Sequence, residues 1–333
     1  MLMEVTVREL YEMTCSGSAL ERDQAEYVFL QGWIRECGDG FVAFNDGTYF
    51  RHARIITEEA GRFAEGSAVA VTGRYTETPG GVSPFEIRAT EIVCEGGSAP
   101  DYPEVLAKDH MRVRTYRYAA LFRVRSALSM AVHEFFQDQG FVCLNLPYAD
   151  SDDIYTAAYA AAFRDVYTFG PQKSGEQELW YITSRLAFAE PEDVLSLMED
   201  FCRGCAEYLL ENCGEEMNYF ASLTAGLRER LETLLGEYDR GLSVSAGEPS
   251  VPYFVMDEKK GTVDLYIPGF GRLCTGTPDD PETSKEEVRE DLRLYGGMES
   301  GGFRMPLEDY VMMVTGMTSL SEVIPFPAGQ KRE

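Results

Sequence analysis

The sequence has no run of about 18 apolar residues, so it lacks the uninterrupted segment that a transmembrane helix requires. Its start, MLMEVTVREL, also lacks the apolar run of a secretory signal peptide, and it carries acidic residues where such a peptide has a basic region. These absences predict a cytoplasmic protein with no membrane partner. The 44% hydrophobic content of the 333 residues is ample for buried cores, which excludes a disordered chain.

Basic residues are scarce: the chain contains 30 Lys and Arg against 56 Asp and Glu, a formal net charge of −26. A protein that grips an RNA backbone usually gathers its cations into a patch, because neutralised phosphates supply much of the affinity. The charge balance therefore argues against RNA binding. A local basic patch would override it, since acidic surfaces are common among soluble proteins.

The eight cysteines show little sign of a metal site. Cys202, Cys205 and Cys213 are the one notable group, because their spacing places the thiols near one face of a predicted helix. A zinc site normally needs four ligands, and no second Cys or His pair follows at suitable spacing. We predict a buried helix face, with metal or redox chemistry as the alternative.

Residues 27–94 show short alternating patterns that are separated by turn residues at about ten-residue spacing. Asp39-Gly40, Asp46-Gly47 and Pro79-Gly80-Gly81 supply the turns, and this rhythm is typical of a small closed β-barrel. A Gly- and Pro-containing linker follows, after which the pattern becomes helical. We therefore place a domain boundary at residue 100, which divides the chain into residues 1–100 and 101–333.

The second part alternates helical and extended patterns. Apolar residues recur at helical spacing from Arg117 to Gly140, and further helices are predicted at about 190–213 and 216–237. Strands are predicted for FVCLNLP, VPYFVMD and TVDLYIPGFG, and a last helix for LEDYVMMVTGM.

Several segments follow, in order, the pattern of asparaginyl-tRNA synthetases. In the barrel these are GWIRECGDGFVAFNDGTYF and VTGRYTETPGGVSPFEIRATEI. Later, RYAALFRVRSALSMAVHEFFQDQGF resembles class II motif 1, VYTFGP the approach to motif 2, and VDLYIPGFG, DLRLYG and VTGM the surroundings of motif 3. The chain thus looks like a shortened and degenerate paralogue in this class II aminoacyl-tRNA synthetase family. The resemblance implies an α+β fold: an N-terminal OB-fold β-barrel, then a class II antiparallel sheet flanked by helices.

The resemblance also implies a homodimer, because motif 1 forms the family's dimer interface. Phe135, Phe136, Phe141 and Leu144 form an apolar cluster larger than one helix face needs, which favours the same conclusion. The alternative is that these four residues belong to the core of a single chain.

The residues that the family uses for ATP are largely replaced. After VYTFGP the chain reads QKSGEQELWYITSRLAF, which contains no FRxE sequence, and Arg185 fits the register of the missing arginine poorly. The family's GFGLGFER aligns with residues 302–309, where two glycines become Arg304 and Pro306 and the ATP-binding arginine becomes Asp309. The last exchange replaces an attraction for triphosphate by a repulsion, so neither ATP nor any catalytic residue is predicted.

The metal and substrate positions are altered as well. Arg272 stands where the family's glutamate helps to hold Mg²⁺, so no metal ligand is predicted there; Asp279 or Asp280 would be the only nearby replacements. The family's substrate loop is reduced to residues 148–165. Arg293 remains, and with Arg185 and Arg304 it is a candidate for binding a ligand's carboxylate, although a structural ion pair explains it equally.

Two further expectations concern these arginines and the barrel. Arg272 and Arg304 should project into the former ATP site, where they either pair with Glu299, Glu308 and Asp309 as a salt-bridge plug or form an anion-binding pocket. In the barrel, the resemblance makes Trp33, Arg35 and Phe41 candidates for stacking on nucleic acid. Phe41 also alternates as a strand-core residue would.

Three functions remain open from the sequence. The first is a synthetase paralogue without aminoacylation activity that regulates or binds a protein partner, and the coordinated loss of site residues favours it. The second is a repurposed ligase or amidating enzyme acting on a different small acidic substrate. The third is a divergent, active asparagine–tRNA ligase. Whether the chain is an enzyme is thus left open, and the lost residues argue against it.

Overall fold

The computed structural model describes residues 2–15, 27–146, 154–241, 249–277 and 286–327. It divides into two compact units, Met1–Ala119 and Ala120–Glu333. The candidate metal ligands Asp279 and Asp280 lie outside the described residues. Among the described residues, no helix is both long and apolar enough to cross a bilayer.

The first unit contains a closed β-barrel. Five strands pair in the order β2-β3-β4-β6-β5 and close through β2 with β5, while β1 adds to β2 in parallel. Asp39-Gly40 forms the predicted two-residue turn between β2 and β3, where Gly40 has a φ of 74° that favours glycine. The elements are β1 (Leu2–Glu4), α1 (Val7–Cys15), β2 (Tyr27–Gly38), β3 (Phe41–Asn45), β4 (Ala53–Ile56), β5 (Ala68–Glu77), β6 (Phe85–Gly96), α2 (Tyr102–Val105) and α3 (Asp109–Arg112).

The second unit is built on a sheet with the strand order β10-β11-β12-β13-β9-β8-β7. All neighbours are antiparallel except β7 and β8, which form a parallel pair at one edge. The strands are β7 (Val142–Cys143), β8 (Asp165–Ser174), β9 (Gln177–Ala187), β10 (Tyr253–Asp257), β11 (Thr262–Ile267), β12 (Gly271–Thr277) and β13 (Ser300–Pro306). The barrel and this sheet confirm the predicted α+β fold class.

Helices complete the second unit. The predicted helix at 216–237 is wrong as a single element, because Gly226 adopts the left-handed conformation (φ 76°) and separates two helices there. The helices are α4 (Tyr116–Asp138), α5 (Ile154–Phe163), α6 (Pro191–Asn212), α7 (Gly214–Leu223), α8 (Leu227–Leu234), α9 (Glu286–Leu294), α10 (Leu307–Thr315) and α11 (Leu320–Val323).

Aromatic packing shows which sheet face carries α4 and α6. The ring of Phe136 in α4 stacks on Tyr167 of β8 at 4.4 Å and also lies against Phe201 of α6 and Phe303 of β13. Phe141 and Leu144 are buried too. The apolar cluster that favoured a dimer is therefore largely accounted for within one chain, in line with the alternative expectation.

Cys202 and Cys205 of α6, and Cys213 directly after its end, are part of the same core. Cys202 and Cys205 are fully buried and Cys213 nearly so. Burial raises the pKa of the Cys205 thiol well above its usual value, which opposes thiolate chemistry. The prediction of a buried helix face is confirmed.

Candidate functional site

A row of polar side chains crosses the sheet of the second unit. Direct cross-strand pairs join Thr168 to Thr183, Thr183 to Arg304, Arg304 to Thr275, and Thr275 to Asp264. Directly paired residues point to the same side of a sheet, so these five side chains form one line, called here the polar row. It spans β8, β9, β13, β12 and β11.

The polar row lies on the face opposite α4 and α6. Phe303 and Gly276 are the strand neighbours of Arg304 and Thr275, and they point toward the helices: Phe303 packs on Phe201, and a Cβ at Gly276 would lie 2.8 Å from Met198 Sδ. Successive residues of a strand point to opposite faces. Arg304 and Thr275 therefore point away from α4 and α6.

Helix α5 covers one end of the face that carries the polar row. Its Ala160 packs with Val166 and Leu144 in a small apolar cluster. Val166 precedes Tyr167, whose ring faces α4, so Val166 and α5 lie on the other side of the sheet. Helix α5 therefore packs onto β8 on the face that carries the polar row.

Arg304 occupies the centre of the polar row. Its guanidinium carbon lies 4.1 Å from the centroid of the Tyr181 ring, and its Nη2 donates a hydrogen bond to Gln172 Oε1. Among the described residues, no carboxylate lies within ion-pair distance of this side chain. The expected pairing of Arg304 with Glu299, Glu308 or Asp309 is therefore wrong.

Glu308 has a different partner because it lies on the side of α4. Its Oε1 accepts a hydrogen bond from Arg125 Nη2 at 2.6 Å, and its Oε2 accepts one from the Trp180 backbone N–H at 3.1 Å. Its side chain is 1% exposed and that of Arg125 is 12% exposed. Sequence spacing offered no signal for this pair, since 183 residues separate its members.

Arg272 lies beside Asp264, at the β11 end of the polar row, and its charge also acts on Asp309. Arg272 Nη1 is 3.8 Å from Asp264 Oδ2, and Asp264 Oδ1 accepts a hydrogen bond from Thr275 Oγ1 at 2.5 Å. Burial and the charge of Glu308 raise the pKa of Asp309 to about 6, while Arg272 opposes this shift. Arg272 thus has an acidic partner, Asp264, that was not among the three expected from the sequence.

Of the other candidate cations, Arg185 is almost completely buried on β9. Its Nη1 donates to the Thr277 carbonyl oxygen at 3.4 Å and to Thr277 Oγ1 at 3.3 Å. Arg293 is exposed on the last turn of α9, a helix with no buried residue. Among the described residues, no three His, Cys, Asp or Glu side chains converge as a metal site would require.

In the barrel, the three predicted stacking residues, Trp33, Arg35 and Phe41, differ in their contacts and in their exposure. The guanidinium carbon of Arg54 lies 3.6 Å from the centroid of the Phe41 ring, and Arg54 Nε is 3.2 Å from Glu86 Oε1. Arg35 lies 5.7 Å from the Trp33 ring and donates to the Arg114 carbonyl. Burial lowers the pKa of Arg35. One face of Phe41 is therefore covered by a paired cation, whereas Trp33 is 38% exposed.

Similarity to known proteins extends over nearly the whole chain. The asparagine–tRNA ligases of Acetivibrio thermocellus and Bacillus cereus are 28% and 29% identical over 451 and 450 residues, covering 93% of this chain and 97% of each relative. These alignments are longer than the 333-residue chain, so the relatives contain internal segments that it lacks. No protein-family model matches.

Solved structures agree on the fold. The asparaginyl-tRNA synthetase from Pyrococcus horikoshii superposes with a TM-score of 0.77 at 19% identity, over 96% of this chain and 98% of that one. The Entamoeba histolytica asparaginyl-tRNA synthetase gives 0.74 at 15% identity, over 98% of both chains. From its ordered motifs, its barrel and sheet, and these relatives, we conclude that the chain is similar over nearly its whole length to asparagine–tRNA ligases and shares the fold of asparaginyl-tRNA synthetases.

Proposed function

We propose that this protein is a paralogue that does not perform the family's aminoacylation and acts instead through regulation or through binding a protein partner. The observation that carries the proposal is the carboxylate of Asp309 in the first turn of α10, where the family pattern has its ATP-binding arginine. A carboxylate at this position repels a triphosphate, whereas an arginine attracts it.

The surrounding residues do not fit ATP with Mg²⁺ either. Arg304 fills a position where the family pattern has glycine, and its guanidinium lies over Tyr181. Arg272 replaces the metal-binding glutamate and faces Asp264. A cation cannot serve as a ligand for Mg²⁺, so no catalytic step through this metal or through ATP is assigned to these residues.

The test is pyrophosphate exchange into ATP with asparagine or aspartate, followed by charging of tRNA. We expect no exchange above the blank, whereas the Bacillus cereus relative, run in parallel as a positive control, should exchange. Exchange by this protein that disappears on adding EDTA would overturn the proposal. It would favour an active asparagine–tRNA ligase, the alternative to which the names of the curated relatives point.

We also propose a homodimer through α4 and β7. Part of the surface there is apolar, since Met130 of α4 is 56% exposed and Val142 of β7 is 39% exposed. Sedimentation equilibrium at micromolar concentration should return about twice the mass of one chain. A concentration-independent monomer would contradict this part of the proposal, and Met130→Glu should shift a genuine dimer toward monomer.

A further inference from the structure

Arg304 is a half-buried cation without an acidic partner among the described residues, in a chain of net charge −26. Its two contacts, the Gln172 amide oxygen and the Tyr181 ring, are both neutral. Other arginines of the second unit, such as Arg125, Arg240 and Arg272, are each paired with a carboxylate. Within the described residues Arg228 and Arg230 also contact neutral groups only, but of these three arginines Arg304 alone lies in the polar row.

Two buried donors next to each other in the polar row also lack partners. Arg304 Nε and Thr183 Oγ1 make no hydrogen bond within the described part of the chain. The two residues are directly paired across β13 and β9, so their side chains leave the sheet side by side. Buried polar atoms are nearly always hydrogen-bonded, and one acceptor would serve both donors once the groups that cover them move aside.

We propose that Arg304 and Thr183 bind the acidic group of a small molecule, a carboxylate or a phosphate monoester. The edge of a guanidinium group presents parallel N–H donors that match two oxygens of such a group, and the threonine hydroxyl supplies a third donor. Tyr181 and Gln172 hold the guanidinium in place before the ligand arrives, which reduces the ordering that binding requires.

This inference rests on the proposed function, because ATP binding would use the same strands. The result of one experiment nevertheless does not determine the result of the other. Pyrophosphate exchange would overturn the proposed function whatever the result of an anion titration. Absence of anion binding would overturn this inference and leave the proposed function unchanged.

The experiment is a thermal-shift titration with inorganic phosphate and, separately, with propionate, at an ionic strength held constant with chloride. We expect at least one probe to raise the Tm of the unmodified protein in a saturable way. A response to phosphate alone assigns a phosphate monoester, and a response to propionate alone assigns a carboxylate. No saturable rise with either probe would refute the site.

Three variants test the residues. Arg304→Gln should weaken binding of the active probe at least tenfold, and Thr183→Val, which preserves the shape of the side chain, should weaken it several-fold. Arg228→Gln removes an exposed arginine of α8 that contacts Asn218, and it should leave the titration unchanged. Equal binding by the unmodified protein and by both Arg304→Gln and Thr183→Val would show that the anion binds elsewhere.

Discussion

Arg125→Ala is expected to lower the free energy of unfolding by about 3–5 kcal/mol, because it leaves the Glu308 carboxylate buried without its cation. The Arg125 Nη2 to Glu308 Oε1 distance is 2.6 Å, and Glu308 retains only the Trp180 backbone N–H as a partner among the described residues once Arg125 is removed. Urea denaturation followed by circular dichroism measures the change.

Arg62→Ala is the matched control. Arg62 Nη1 also lies 2.6 Å from a carboxylate oxygen, Glu59 Oε1, but these side chains are 71% and 53% exposed, so this loss should cost less than about 1 kcal/mol. Replacing both members of the buried pair, by Arg125→Met with Glu308→Leu, should recover most of the stability that Arg125→Ala loses. Similar losses for Arg125→Ala and Arg62→Ala would mean that water reaches Glu308 and that the pair is not buried.

Gly302→Ala should lower the free energy of unfolding almost as much as Arg125→Ala, because its added methyl group overlaps with backbone atoms. A Cβ at this position would lie 1.9 Å from the carbonyl oxygen of Ser184 and 2.7 Å from its carbonyl carbon. Neither atom belongs to a flexible side chain, so β13 would have to move away from β9. We expect a loss of about 2–3 kcal/mol, as overpacking of a tight interior produces.

Gly170→Ala provides the comparison for this substitution. Gly170 also lies in a strand of the same sheet, but no heavy atom lies within 4 Å of its Cβ position. The free energy of unfolding of Gly170→Ala should stay within about 0.5 kcal/mol of that of the unmodified protein. If Gly302→Ala unfolds at the same urea concentration as Gly170→Ala, then β13 can move away from β9 at low cost. That result would contradict the expected steric overlap with Ser184.

The barrel could be predicted from the sequence because its signals are local. Short alternating strands and Asp-Gly turns specify hairpins within about ten residues, and the structure places such a turn at Asp39-Gly40. The prediction of one continuous helix past Thr224 is wrong, although Gly226 is visible in the sequence. A glycine within a helical pattern is tolerated in some helices and ends others, and the backbone conformation decides which.

The candidate site is harder to predict because its members meet across strands. The sequence marks Arg304 as unusual, but its neighbours Thr183 and Thr275 are defined by strand order and register, which residue patterns along one chain do not specify. The same limit explains the wrong partners. Glu308 is close to Arg304 in sequence, yet the change from strand to helix after Pro306 directs it to Arg125 instead.

The position of β13 has a consequence for how the second unit assembles. It is the last strand in the described part of the chain, yet it lies in the interior of the sheet, between β12 and β9. The strands β7 to β9 and β10 to β12 can each pair locally, and β13 joins the two groups. Its contacts with β9 connect residues more than a hundred positions apart, which makes them slow to form. During synthesis the two partial sheets therefore keep unpaired edges until residues 300–306 have left the ribosome, and in that interval they depend on protection from aggregation.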